Sequence, residues 1–255
     1  MNLKLTNAFS LPSFGKPVLP PNSVDAKVDI EPILALWASF AGFLLFAGYL
    51  LYEKGVWASL LNADPTYLTA LIVILFVGAT VWVGLRANQL AQEYEHFTQF
   101  ETLLIDSPSA AKDWLKRKQS SWAYEYFTAI QSKGQAWRDH SRLVDLLAEK
   151  TSAPHEMPWW INGVLLKLGL LGKVIGFSIM ALQLGEMSSF DSGQTSAVLK
   201  TLTGGLGIAL LTTMTGLTAN ILLGIQLMRL DRFADYLTAK AIKISEVDLQ
   251  KIMDC

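Results

Sequence analysis

A chain of 255 residues that is 51% hydrophobic and only 17% charged falls short of the quarter or so of charged residues that a water-soluble domain carries, and its mean hydropathy is +0.32. A net charge of −1 argues against nucleic acid as a partner. The single cysteine, Cys255, has no internal disulfide partner, and His96, His140 and His155 lie too far apart in sequence for metal-ligand spacing, so no metal or cofactor is expected.

Residues 1–32 read as an N-terminal segment outside the membrane, kept irregular by Pro12, Pro17, Pro20 and Pro21. They lack the compact basic start and small-residue cleavage site of a secretory signal, so the apolar run that follows is expected to be retained. A first transmembrane hairpin occupies 33–85. Its spans, about Ile33–Tyr52 and Tyr67–Leu85, contain no charged residue and are long enough for about 20 residues of helix to cross the hydrocarbon. Gly55 and Pro65 punctuate the link between them.

Residues 86–157 differ in kind, with nine Lys or Arg and ten Asp or Glu. Leu90, Tyr94, Phe97 and Leu104 recur at helical spacing. Trp114, Trp122, Tyr126, Phe127, Ile130 and Trp137 continue the pattern beyond a break at Ser107-Pro108. This is the signature of amphipathic helices in water, packed on each other or on helices emerging from the membrane.

A third span runs from about Pro158 to Leu184, apolar apart from Lys167 and Lys173, and a polar hairpin covers 185–196. The fourth apolar stretch, about Ala197–Met228, exceeds the hydrocarbon thickness. It is expected to continue into an amphipathic tail, 231–255, through Leu230, Phe233, Leu237, Ile244 and Val247. Segments 1–32, 86–157 and 229–255 hold 3, 9 and 5 of the 21 Lys and Arg, whereas the opposite hairpins hold only Lys54. The positive-inside rule therefore puts both termini and the large loop in the cytoplasm. The expected fold is an all-α integral membrane protein of four transmembrane helices, with a helical cytoplasmic domain between spans two and three.

The last two spans carry a polar pattern. Gly169, Gly172 and Gly176 fall on one face of span three, where small residues let another helix approach. Lys173 shares that spacing and is expected to face the protein interior, where a charge needs a partner; Lys167 can snorkel. In span four, Gly205, Ala209, Thr213, Gly216, Asn220 and Gly224 form one face and Leu206, Leu210, Met214, Leu217, Ile221 and Ile225 the other. Thr212, Thr215 and Thr218 add hydroxyls beside the stripe. Helix packing alone and an ion or water path both fit it. Gly172-Lys173 is not a phosphate loop, because Lys167 and Val174 stand where Gly and Ser or Thr are needed. None of the 22 Asp and Glu lies inside a span. If the chain helps conduct protons, another subunit must bring the carboxylate.

The strings Gly169-Leu170-Leu171-Gly172-Lys173-Val174-Ile175-Gly176 and Gly207-Ile208-Ala209-Leu210-Leu211-Thr212-Thr213-Met214-Thr215-Gly216-Leu217 resemble the MotA/TolQ/ExbB proton-channel family over about 158–230. Two spans before the large loop resemble the MotA arrangement. The resemblance implies a homo-pentamer in the bacterial inner membrane around two copies of a smaller MotB/TolR/ExbD-like partner, whose single span carries an aspartate. It also implies that Thr213 lines the ion path; Thr212, Lys173 and Asn220 are the further candidates, with Gly169, Gly172, Gly176, Gly205 and Gly216 as packing residues. Lys173 stands where the family usually has threonine, and Ile208 where transport-type members carry glutamate. Lys173 is therefore expected to pair with the partner's aspartate or to be held neutral by burial. The expected function is a proton or sodium channel subunit of a rotary membrane motor, not an enzyme. The alternative is a non-conducting scaffold derived from the same family.

Overall fold

Every described segment is a helix or a short connection between helices, as expected for a backbone that must satisfy its own hydrogen bonds in lipid. The computed structural model describes residues 33–64, 66–117, 120–132, 141–185 and 195–248. Expectations for 1–32, Trp137, most of the 185–196 hairpin and the end of the tail fall outside them. In order come α1 (Ile33–Glu53), α2 (Val56–Ala63), α3 (Leu68–Asp106), α4 (Pro108–Lys116), α5 (Trp122–Ser132) and α6 (Ser141–Ser152). A 3₁₀ turn (Ala153–His155) leads into α7 (Glu156–Gly185), and α8 (Thr195–Lys243) ends in a π turn (Ile244–Asp248). Among the described residues there is no strand. The helices α1, α3, α7 and α8 carry four stretches long and apolar enough to cross a membrane, as a multi-pass membrane protein requires.

Two of these helices run well past their apolar stretches. The 39 residues of α3 and the 49 of α8 span about 58 and 74 Å at 1.5 Å per residue, against a hydrocarbon core of about 30 Å. The reason is local. No helix breaker follows Leu85 until Pro108, and Leu90, Phe97 and Leu104 keep one stripe buried throughout. Ser107 is extended, with φ −155°, as steric pressure from a following proline favours, and Pro108 then starts α4.

The starts of α3 and α5 are held by carboxylates. Asp64 accepts hydrogen bonds from the Thr66 and Thr69 amides at 2.9 and 2.7 Å, and another from the Thr66 hydroxyl. Burial raises its carboxyl, but these bonds more than offset that and hold it below the ordinary carboxylate range. Glu93, about two turns beyond Arg86 on α3, reaches across to accept the Trp122 amide at 2.7 Å. Ser121 accepts the Tyr124 amide at 3.1 Å. Both satisfy donors that α5 cannot satisfy itself.

Beyond the apolar stretches, α4–α6 pack with the second halves of α3 and α8 around an aromatic core. Phe100 stacks on Phe127 with centroids 4.1 Å apart, Phe97 meets Phe127 edge-on at 5.6 Å, and Trp114 lies 4.9 Å from Phe100. Phe97, Phe100 and Phe127 are fully buried with Leu237 and Ile244, each contributing about 1.5–3 kcal/mol. Tyr126 shares a 3.1 Å hydrogen bond with Ser245, and burial pushes its phenol above the usual range. Val247, expected on the packed face, is exposed, because the π turn at 244–248 breaks the 3.6-residue period.

Candidate functional site: the seam between α7 and α8

Small residues at three- and four-residue spacing make α7 and α8 meet almost backbone to backbone. A Cβ added to Gly216 would lie 2.8 Å from the Gly169 Cα, and one added to Gly176 would lie 2.8 Å from the Ala209 amide nitrogen. A Cβ on Gly205 would meet Met180 at 2.6 Å, and one on Gly172 would collide with the Thr212 side chain. All five glycines expected to pack helices are therefore in the seam. The other face of α8, with Leu206, Leu210, Met214, Leu217, Ile221 and Ile225, is exposed throughout, as a lipid-facing or subunit-facing surface would be.

Thr212, not Thr213, is the most deeply seated hydroxyl. It is fully buried in the notch over Gly172 and donates to the Ile208 carbonyl at 2.8 Å. Thr213 is half-buried. It donates to the Ala209 carbonyl at 2.7 Å and lies 3.2 Å from the Gly169 carbonyl, so it touches both helices. Asn220 is half-buried, and its Nδ2 donates across the seam to the Asn162 carbonyl at 2.8 Å.

Lys173 departs from the expectation that it faces inward. The packed face of α7 centres on Gly169, Gly172 and Gly176, and at 100° per residue Lys173 sits roughly 65° round from that centre. It is exposed among Leu170, Val174 and Phe177, with its Nζ 6.0 Å from the Phe177 ring. Within one chain it is a cation on an apolar face near the middle of a membrane-length stretch. Thr213 and Lys173 are thus near one another in sequence pattern but on different surfaces of the helix pair.

Three polar features had no sequence signal beyond residue type. Asn162 is buried with its Oδ1 unpartnered. Gln226 donates to Thr80 Oγ1 at 3.2 Å, joining α8 to α3. At the end of the apolar stretches, buried Arg86 binds the Lys150 and Thr151 carbonyls at 2.9 and 3.0 Å and Gln89 at 2.6 Å, and lies 5.0 Å over the Trp122 ring. Its Nε also points at His155 Nε2, 3.5 Å away, while His155 Nδ1 donates to Asp231 at 2.7 Å. Trp159 holds the other Asp231 oxygen at 2.8 Å. This chain of contacts ties α3, α6, α7 and α8 together where the seam ends. Apart from Gln89 and Trp122 on Arg86, its partners lie 64 to 76 residues apart, so no local spacing announces it.

The seam offers hydroxyls and carbonyls, and among the described residues no group of three or more His, Cys, Asp or Glu is placed to hold a metal ion. No family model, curated protein or solved structure matches the chain.

Proposed function

We propose that the chain is the ion-channel subunit of a rotary membrane motor, moving protons or sodium ions past a single-span partner that carries a membrane-embedded aspartate. It would sit in the bacterial inner membrane with both termini cytoplasmic, as five copies around two partner chains. The carrying observation is Lys173, an ammonium on the apolar outer face of α7 with no ion pair among the described residues. A charge at that depth requires a countercharge, and no span of this chain contains an acid. An acidic partner helix packed on this face supplies it. Thr213 lies in the seam rather than on that face, bridging the two helices, and can both donate and accept to a passing ion. The reading is of a non-enzymatic subunit: its chemistry is charge pairing and hydration, with the partner's carboxylate as the titrating group.

A second reading, a non-conducting scaffold, is favoured by one observation. The Thr212 and Thr213 hydroxyls already donate to carbonyls of their own helix, a satisfied state that needs no ion. The two readings part on flux. The chain is co-expressed with a candidate single-span, Asp-bearing partner, and ion uptake is followed in reconstituted vesicles. The motor reading expects uptake that Thr213→Val lowers about tenfold or more, the loss of one preorganised hydrogen-bonding group. Intact complexes with no uptake would leave the scaffold.

A further inference from the structure

Helix α1 packs on α3 with Trp37 at Gly84, and the space beside that contact is not filled by the described residues. The Trp37 indole lies directly on the backbone of Gly84, where no side chain intervenes, and its Nε1 donates to the Thr80 carbonyl at 3.3 Å. Next to it a crevice of about 200 Å³ opens between α1, α3 and α8, lined by Leu36, Phe40, Val83, Ala87 and Ile225 among others. Apolar cavities of about 150 Å³ stay dry and take a hydrocarbon guest. Leu36 and Ile225 are themselves exposed, so the crevice is open to the membrane hydrocarbon.

Two polar side chains stand in this lining. Gln226 is more than nine-tenths buried, and its Nε2 is used by Thr80 and Leu222, yet its Oε1 has no partner. A buried acceptor away from water is costly unless a donor reaches it. Arg229, about 4.5 Å further along the helix, is exposed and makes no hydrogen bond or ion pair among the described residues. It ends the apolar stretch, at the depth of headgroup phosphates. A ligand that answers all three features has an apolar tail, an anion for the guanidinium and a hydroxyl for the amide oxygen.

We propose that this crevice is a binding site for one anionic phospholipid whose headgroup bears free hydroxyls, of the phosphatidylglycerol kind. One acyl chain fills the space beside Trp37, the phosphate binds Arg229 and a headgroup hydroxyl donates to Gln226 Oε1. A guanidinium–phosphate contact is charge-assisted and can be bidentate, and a zwitterionic choline lipid has no donor to offer Gln226. The site does not depend on the motor reading.

The test is native mass spectrometry of the full chain, delipidated in detergent and titrated with phosphatidylglycerol or phosphatidylcholine. The expected result is one phosphatidylglycerol retained per chain, about tenfold more strongly than phosphatidylcholine, the upper end of what one hydrogen bond to Gln226 Oε1 supplies. Gln226→Leu removes most of that preference, because only a hydroxylated headgroup can answer its acceptor, and Arg229→Gln, at an exposed position, weakens retention of both lipids without unfolding the chain. Leu36→Trp fills the crevice and expels lipid of either kind. Equal retention of the two lipids, no retained lipid, or retention indifferent to both Arg229→Gln and Leu36→Trp overturns the proposal.

Discussion

Gly216 rests on Gly169 with no room for a methyl group: a Cβ at 216 would lie 2.8 Å from the Gly169 Cα and 2.9 Å from the Leu165 carbonyl oxygen. Both obstacles are backbone, which cannot swing aside. Close approach of this kind replaces the hydrophobic drive that helices lack in lipid with dispersion and backbone contact. The threonine notch over Gly172 depends on it.

Gly216→Val is therefore expected to lower stability by about 1–3 kcal/mol, the usual cost of overpacking, read as a drop in the thermal midpoint in detergent. Gly204→Ala and Gly207→Ala, where an added Cβ meets nothing within 4 Å, serve as controls. They should leave the midpoint unchanged or slightly raised, since alanine favours helix.

Arg86 is the next point of leverage. Arg86→Ala removes the donors to the Lys150 and Thr151 carbonyls and to the exposed Gln89, leaving the two carbonyls at the end of α6 without that partner. A loss of about 2–3 kcal/mol is expected. Proteolysis should then reach α6 more readily, because Arg86 fastens the end of α6 to α3. Arg86→Lys should recover less than half of the loss, for a lysine cannot reproduce the fork.

Asp64 gives a pH dependence of known sign. Its carboxyl is held below the ordinary value in the fold, so on acidification the unfolded chain takes up the proton first. The cap's contribution, about 1 kcal/mol, is complete above about pH 4. It disappears as pH falls through the lower folded value. Unfolding followed between pH 3 and pH 6 should show this slope in the native chain and lose that component in Asp64→Ala, which should also be less stable at pH 6.

The spans and the glycine seam were legible because they rest on local rules, length in lipid and three- or four-residue spacing of small side chains. Gly169, Gly172, Gly176, Gly205 and Gly216 all pack where that spacing puts them. Lys173 shows the limit of the same rule. Spacing of three and four tolerates a residue at the rim of a stripe as readily as one at its centre, and only the axis of the partner helix decides which it is. The length of α3 beyond Leu85 was legible as amphipathic pattern but not as one unbroken helix, since Arg86 looks like a span end until its burial among four partners is seen. Contacts such as Glu93 with Trp122, 29 residues apart, and Gln226 with Thr80, 146 apart, need the fold itself.

Lys173 also separates the surfaces of the helix pair by experiment. With Cys255→Ser removing the native thiol, Lys173→Cys should react with a membrane-permeant maleimide in the isolated chain and become protected when the acidic partner is present. Thr212→Cys, fully buried over Gly172, should resist labelling in both states, or destabilise the seam by leaving an over-large sulfur in the notch.

In the proposed motor, a countercharge reaches Lys173 from another chain at the centre of a ring. Native mass spectrometry of the complex extracted in mild detergent measures this directly. Five copies of the chain with two copies of an Asp-bearing single-span protein, and loss of the smaller protein when its aspartate is replaced by leucine, is the predicted result. A single chain, or a ring that forms with no second protein and is indifferent to Lys173→Leu, would contradict it.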